Sequence, residues 1–231
     1  MVEHSEPGAP APRLGLALRR RDLVGLVGLL VVLGVVLALV VHGGTPAKGP
    51  GGVSTAQGRR YDGLALSSSE AAPALALDNY LGTPVNLTNY RGKAVLITFL
   101  YTHCPDICPL IASHLHTALV EMPAAERRKL QIIAVSVDPR GDTPSTVAQF
   151  LAAHEMTGRM QYLIGSASVL KAVWKDWGIA SAPQAAAGDP DVVAHSALIY
   201  GITAHGKITV IYPSNFTPGE IVHDARVLAV S

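Results

Sequence analysis

The sequence predicts an α/β layer fold in which helices cover both faces of a mixed sheet. Two observations predict it. Short apolar runs rich in Val, Ile and Leu alternate with stretches of helical pattern, and the chain then closes with two strands around a glycine and a final helix. Alternating strands and helices followed by a hairpin and a helix are typical of a layered α/β domain with a single mixed sheet.

The first predicted element is a hairpin over residues 75–87, where a glycine-containing turn separates two short β-prone segments. Residues 94–100 are a mostly apolar run that favours a strand, and Pro109 opens a helix-like stretch after it. Residues 131–137 form a second apolar strand. The turn signal Asp138-Pro139 ends that strand.

The second half of the chain continues the alternation. Thr143 is the predicted N-cap of a helix that has Pro144 in its first position and runs to about His154. The remaining elements are, in order, a strand over 161–164, a helix over 170–177, strands over 197–202 and 207–212, and a helix over 218–230. This order matches a thioredoxin-like domain, in which the first long strand delivers reactive residues to a helix N-terminus.

An apolar segment predicts one membrane-spanning helix before this domain. Residues 23–41 are nineteen consecutive uncharged residues, which at about 1.5 Å per helical residue suffice to cross a bilayer core. The positive-inside rule places the N-terminus in the cytoplasm and the rest of the chain outside. It rests here on the arginines that precede the segment, which are Arg13, Arg19, Arg20 and Arg21.

The sequence therefore divides into a cytoplasmic segment (1–22), a transmembrane helix (23–41), a flexible linker (42–72) and a folded domain (73–231). The linker is rich in Gly, Pro, Ser and Ala, as expected of a tether. A cleaved signal peptide is the alternative to an anchor, but the apolar run is longer than the usual stretch of about 7 to 15 residues. A net charge of +1 without a polybasic segment gives no indication of a nucleic-acid partner.

The two cysteines of the chain, Cys104 and Cys108, are separated by three residues and follow the strand at 94–100. The positive end of the following helix favours a thiolate at either position. A CxxxC pair can hold a metal ion and can also close to a disulfide. A structural disulfide or two inert buried thiols are the alternatives, although closing so small a loop would stabilise the fold little.

His195 is the candidate third member of this site. It precedes the strand at 197–202, and in a thioredoxin-like fold the loop that enters this strand lies beside the cysteine loop. Two thiolates with one imidazole suit copper, whose cuprous form accepts low coordination. A structural zinc site would want four protein ligands, and the sequence has no further cysteine. Taken alone, His195 would be a surface or capping histidine.

Four neighbouring residues have more modest expected roles. His103 adjoins Cys104 and could tune its pKa or lend a ligand, although a side chain next to a ligand often points elsewhere. The charge of Asp106 would oppose the effect of the helix dipole on the thiols. Asp138 and Asp142 are expected to organise the turn and the start of the next helix.

Three motifs carry a family resemblance: residues 101–109 (YTHCPDICP), residues 136–144 (SVDPRGDTP), and His195-Ser196 with Tyr200 after it. Together they resemble the SCO/SenC copper proteins. The resemblance implies a thioredoxin-like domain, one membrane anchor, and a copper ion held by Cys104, Cys108 and His195. It also implies delivery of copper to the binuclear copper centre of cytochrome c oxidase, or reduction of the cysteines of that centre before metallation.

One position departs from the family pattern. Many members have an acidic residue directly before the copper-binding histidine, and this chain has Ala194. The change removes a carboxylate that could orient the histidine without itself binding the metal. Asp189 or Asp191 could supply a substitute, while the set of three ligands is unaffected.

The resulting hypothesis is a membrane-anchored, extracytoplasmic copper chaperone that passes Cu(I) or Cu(II) to the copper-centre subunit of cytochrome c oxidase by ligand exchange. The alternative is a thiol-disulfide oxidoreductase in which Cys104 attacks a substrate disulfide and Cys108 resolves the mixed intermediate. Only the second activity would make the protein an enzyme. The expected location is the bacterial cytoplasmic membrane, with the mitochondrial inner membrane as the alternative.

Overall fold

The structure is a computed structural model, and it describes residues 60–179 and 197–231 together with the backbone of residues 181–183 and 193–195. The predicted cytoplasmic segment (1–22) and transmembrane helix (23–41) lie outside the described residues. The described part contains ten strands: β1 (Leu64–Ala71), β2 (Ala76–Asn79), β3 (Pro84–Asn86), β4 (Ala94–Leu100), β5 (Leu130–Ser136), β6 (Met160–Ile164), β7 (Ser181–Pro183), β8 (Val193–His195), β9 (Leu198–Ile202) and β10 (Lys207–Pro213).

Eight of the described strands form one mixed sheet in the order β1-β10-β9-β4-β5-β6-β2-β3. The pairs β4/β5 and β5/β6 are parallel, and the other neighbours in this sheet are antiparallel. Strands β7 and β8 pair separately, as a two-stranded antiparallel ribbon. The predicted mixed sheet is therefore confirmed, whereas the ribbon was not predicted.

The core of the protein lies on both faces of β4. All seven residues of this strand are buried, and since successive side chains point to opposite faces of a sheet, both faces are covered. On one face, Phe99 packs against Trp177 and Tyr200, with ring centroids 6.0 Å and 6.3 Å away. Such burial on both faces explains why the sequence of β4 is continuously apolar rather than alternating.

The described helices are a single-turn 3₁₀ helix (Leu87–Tyr90), α1 (Ile107–Glu121), α2 (Ala124–Arg127), α3 (Pro144–Ala153), α4 (Ala167–Asp176) and α5 (Pro218–Leu228). Helices α1 and α5 pack against each other. The predicted start of α3 is confirmed: the Thr143 hydroxyl accepts the Thr146 N–H, the Thr146 hydroxyl accepts the Thr143 N–H, and Pro144 follows the cap. Among the described residues, no helix combines the length and the apolar character needed to cross a bilayer.

Helix α1 begins two residues earlier than the sequence predicted. Asp106 is its N-cap, and its side chain accepts a hydrogen bond from the Ile107 N–H. Pro109 is the third helical residue rather than the first, which costs no hydrogen bond because the first four N–H groups of a helix have no partner within it. As a result, Cys108 lies inside the first turn of α1 rather than before it.

Strand β1 shortens the predicted flexible linker. That linker was placed at residues 42–72, but Leu64–Ala71 pairs with β10 at the edge of the sheet, with a shift in register between Ala65 and Glu70. All eight residues of β1 are exposed, so this strand carries no alternation of apolar and polar residues by which the sequence could reveal it. Its pairing comes from the backbone alone.

Candidate metal and thiol site

Cys104 and Cys108 lie on two consecutive elements of the chain. Cys104 is in the loop after β4, and Cys108 is the second residue of α1. Both are buried, with 6% of Cys104 and none of Cys108 exposed, and both carry thiols rather than a disulfide. The Cys108 N–H donates to the Cys104 sulfur at 3.3 Å. The strand, the loop and the helix start thus bring the two predicted sulfur ligands together.

The surroundings of Cys108 change the pKa of its thiol. The pKa of Cys108 is raised well above its ordinary value, first by its hydrogen bond with the Cys104 side chain and then by burial. The sequence predicted a lowered pKa for a cysteine at a helix N-terminus, and for Cys108 that prediction is wrong. Loss of water and a neighbouring sulfur outweigh the helix dipole, whose effect is of order 1 kcal/mol. These surroundings favour the protonated thiol form of Cys108.

Asp142 fixes the loop that carries Cys104. Its carboxylate is 5% exposed and accepts three hydrogen bonds, from the Thr102 N–H at 2.8 Å, the Ser136 hydroxyl at 2.6 Å and the Tyr162 hydroxyl at 3.0 Å. Burial raises the pKa of Asp142, and its hydrogen bonds oppose that shift. These partners belong to the cysteine loop, β5 and β6, so one buried carboxyl group links the loop to two strands of the sheet.

Asp138 and His103 approach each other over Gly141. A Cβ atom on Gly141 would lie 2.2 Å from the Asp138 Oδ2 and 3.0 Å from the His103 Nδ1. The Asp138 carboxylate also accepts the Arg140 N–H at 3.1 Å, in agreement with its predicted role in the turn. His103 is exposed, and its Nδ1 lies 3.2 Å from the Thr102 hydroxyl. The turn after β5 therefore packs closely against the cysteine loop.

His195 ends β8, and its backbone pairs with Ser181 of β7. Strand β9 begins three residues later, and Ile199 of β9 is paired with Thr98 of β4. The antiparallel register puts the start of β9 beside the carboxyl end of β4, from which the cysteine loop leaves the sheet. The contribution of the His195 side chain to the site remains a prediction.

The SCO1/SenC family model matches residues 67–229 of the chain. This chain belongs to the SCO1/SenC family. The match begins within β1 and continues through α5, and it includes both cysteines, Asp142 and His195. Membership in this family confirms the resemblance that three short motifs indicated.

Solved Sco structures share the fold. Apo Sco1 from Thermus thermophilus is 26% identical, with a TM-score of 0.63 over 72% of this chain and 95% of that one. The copper-bound ScoI of Bradyrhizobium japonicum is 27% identical, with a TM-score of 0.57 over 68% of this chain and 99% of that one. These likenesses confirm the predicted thioredoxin-like architecture of a mixed sheet with flanking helices.

Mitochondrial relatives are similar to part of the chain. The mitochondrial protein SCO2 of Saccharomyces cerevisiae is 29% identical over 151 residues, which are 64% of this chain and 48% of that protein. The chain spans about half the length of the curated relatives that it matches. Similarity to the SCO1/SenC family therefore concerns the folded domain.

The sequence predicted Asp142 at a turn, but not its burial or its three hydrogen-bond partners. One signal was present in the sequence. Asp142 follows Ser136 by only six residues, so the chain between them must return to the same end of the sheet, where Ser136 is buried. A carboxyl group held there needs several hydrogen bonds. The Thr102 N–H, which lies next to the cysteine motif, could not be identified as a partner without the fold.

Proposed function

We propose that this SCO1/SenC chain is a membrane-tethered, extracytoplasmic copper chaperone that binds one copper ion through Cys104, Cys108 and His195. The ion passes by ligand exchange to the copper-centre subunit of cytochrome c oxidase. The observation that carries this proposal is the pair of reduced, buried cysteines at the start of α1, with the Cys108 N–H 3.3 Å from the Cys104 sulfur. The copper bound to the related ScoI supports the choice of metal.

The chemistry of the donors favours copper. Two thiolates are soft ligands, which bind cuprous ion well and leave too few protein ligands for a closed structural zinc site. Both thiols must lose their protons on binding, because thiolate is the form that coordinates metal. The positive ion reverses the effect that raises the pKa of Cys108 in the metal-free state. Burial also limits access of water and oxidants to the sulfurs.

His195 is proposed as the third ligand on the basis of the strand register. Its chain continues into β9, which begins beside the end of β4. One nitrogen ligand added to two sulfurs gives a site that can hold copper in either oxidation state. Ala194 supplies no carboxylate to orient the imidazole, so we expect weaker support of His195 than in members with an acidic residue there.

The proposed location follows from residues 23–41. Their length and apolar character suit a single transmembrane helix, and the arginines before them suit a cytoplasmic N-terminus. The folded domain would then lie on the outer side of the membrane, near membrane-bound oxidase subunits. A tether keeps its local concentration high at that surface.

A thiol-disulfide oxidoreductase is the second candidate function, and the asymmetry of the cysteines favours it over other redox roles. Cys104 is the more exposed cysteine, and Cys108 is fully buried. The Cys104 thiolate would attack a substrate disulfide and release one substrate thiolate. The Cys108 thiolate would then attack the Cys104 sulfur, release the second substrate thiol and leave a Cys104–Cys108 disulfide.

Copper titration of the reduced full-length chain tests the first proposal. We expect one tightly bound copper ion per chain, and weaker binding or none in Cys104→Ser, Cys108→Ser and His195→Ala. His205→Ala is the matched control, since His205 is an exposed turn residue. If the parent chain binds no copper tightly but reduces a disulfide substrate, the chaperone is wrong and the oxidoreductase takes its place. Full activity of His195→Ala in thiol exchange would separate the two functions.

A further inference from the structure

We propose that Asp62, His223 and Asp224 form a second metal site for a divalent transition-metal ion. The site lies where residues 60–63, which precede β1, meet α5. One donor atom from each residue lies within 4.8 Å of the others. Among the residues that the structure describes, no other group of three His, Cys, Asp or Glu side chains is so arranged. This cation cluster (Asp62, His223 and Asp224) is independent of the cysteine site and of the proposed function.

The buried member of the cation cluster is fully oriented. Asp224 has no exposed surface, and its Oδ2 accepts the Gly63 N–H at 2.9 Å and the Tyr212 hydroxyl at 2.9 Å. Its Oδ1 accepts the Asp62 N–H at 2.8 Å and lies 2.7 Å from the His223 Nδ1. The Oδ1 therefore has one fixed backbone partner and one partner that can be exchanged, since a metal ion can take the place of the His223 proton.

The other two donors are accessible from solvent. The side chains of His223 and Asp62 are 42% and 41% exposed, and the His223 Nδ1 lies 3.5 Å from the Asp62 Oδ2. Ligand atoms about 2.1 Å from a tetrahedral ion are separated by about 3.4 Å. The Asp62 to His223 distance already fits this value, and a small rotation of the exposed imidazole ring would lengthen its 2.7 Å contact with Asp224.

The donor set selects the class of ion. One imidazole and two carboxylates suit zinc and other divalent ions of borderline softness, whereas calcium and magnesium prefer oxygen ligands alone. The site has no sulfur, so it offers little to cuprous ion. Exposure of two donors leaves room for a water molecule as the fourth ligand.

Metal binding at the cation cluster would hold the segment of residues 60–63 more firmly against α5. The segment is already held there, because the Arg60 guanidinium donates to the Ser231 hydroxyl at 2.7 Å and the Asp62 and Gly63 N–H groups donate to Asp224. An ion would add a bond from the Asp62 side chain itself. Since this segment leads into β1, the ion would stabilise the edge of the sheet.

Zinc titration of the full-length chain carrying Cys104→Ser and Cys108→Ser tests the proposal. We expect one Zn²⁺ per chain with a Kd on the order of 10 µM, and at least about tenfold weaker binding in His223→Gln and in Asp62→Asn. His116→Gln is the matched control, since His116 also faces a carboxylate, Glu155, at 3.8 Å. Zinc should raise the Tm of this parent but not of its Asp62→Asn variant.

Asp62→Asn keeps the backbone N–H that donates to Asp224, so we expect it to fold as the parent does. Absence of Zn²⁺ binding, or binding that neither His223→Gln nor Asp62→Asn weakens, would overturn the second site. Loss of binding in His116→Gln alone would assign the zinc to another surface and overturn it as well. Because the parent in this experiment lacks both cysteines, either result leaves the copper proposal untouched.

Discussion

The backbone N–H of Cys108 donates to the sulfur of Cys104 at 3.3 Å, so the first turn of α1 bonds to one cysteine while it carries the other. The contact makes the two sulfurs unequal. The Cys104 sulfur accepts a hydrogen bond, and Cys104 is slightly exposed. Cys108 is fully buried, and the pKa of its thiol is raised. An ion that binds both sulfurs must displace the protons of both thiols.

This inequality predicts selective alkylation. With iodoacetamide at about pH 8, we expect Cys104 in the Cys108→Ser variant to react at least about tenfold faster than Cys108 in the Cys104→Ser variant. Burial persists in the Cys104→Ser variant, where it still raises the pKa of the Cys108 thiol and shields the sulfur from the reagent. Mass spectrometry of quenched samples measures the two rates. In urea the two variants should react equally, and equal rates in the native proteins would contradict the assigned asymmetry.

Patterns within single elements predicted most of the fold. The continuous apolar run of β4 and the Thr143-Pro144 start of α3 were confirmed, because burial on both faces and N-capping act through adjacent residues. Strand β1 and the β7/β8 ribbon were not predicted. Strand β1 pairs with the distant β10, and all eight of its residues are exposed, so no buried face imposes a hydrophobic period on its sequence.

The sequence identified the two cysteines of the candidate site but not the residues that support them. The CxxxC motif identified both sulfurs, since their spacing in the sequence nearly determines their separation in space. The Asp142 network joins Thr102 to residues 34 and 60 positions later, Ser136 and Tyr162, and only the fold brings these together. Likewise, the raised pKa of Cys108 depends on burial that helix position alone does not reveal.

The Asp142 network predicts that Asp142→Ala loosens the cysteine loop. The substitution leaves the Thr102 N–H and the Ser136 and Tyr162 hydroxyls without their shared acceptor. We expect a loss of about 2–4 kcal/mol in the free energy of unfolding, measured by urea denaturation. Copper affinity should also fall, because the loop no longer holds Cys104 in place. Asp138→Ala is the control for removal of a nearby, more exposed carboxylate, and an equal loss there would contradict a special role for Asp142.

Asp142 also predicts a pH dependence of stability. Burial raises its pKa above the ordinary value of about 3.9, so the folded protein binds this proton more readily than the unfolded chain. The resulting stabilisation is fully present below the unfolded pKa and is lost as the pH rises through the folded pKa. We therefore expect the stability of the parent relative to Asp142→Asn to increase as the pH falls toward about 4. Urea denaturation at several pH values measures it, and a relative stability that decreases on acidification would contradict the sign.

Gly141 predicts a steric effect next to the cysteine loop. A Cβ at this position would lie 2.2 Å from the Asp138 Oδ2, so Gly141→Ala should cost about 1–3 kcal/mol of stability. Gly219→Ala is the matched control, because the nearest atom to its added Cβ is 4.0 Å away and alanine favours a helix. The double variant Gly141→Ala/Asp138→Ala should recover part of the loss. Equal urea midpoints for the two glycine variants would show that the turn adapts without strain.

The pairing of edge strand β1 predicts that the folded domain begins before residue 73. The sequence placed its start at residue 73, but a chain that begins there lacks β1, which pairs with β10, and lacks the Asp62 and Gly63 N–H groups that bind Asp224. Buried Asp224 would lose two donors, and β10 would become an open edge, which favours association between sheets.

We therefore expect a chain that begins at residue 73 to unfold at lower urea concentration than one that begins at residue 60, and to aggregate as its concentration rises. A chain that begins at Leu64 separates the two causes, because it keeps β1 and loses only the contacts of residues 60–63, which are the bonds to Asp224 and Ser231 and the burial of Tyr61. Its stability should fall between the other two. If all three chains unfold at the same urea concentration, β1 contributes nothing and the domain begins at the hairpin of β2 and β3.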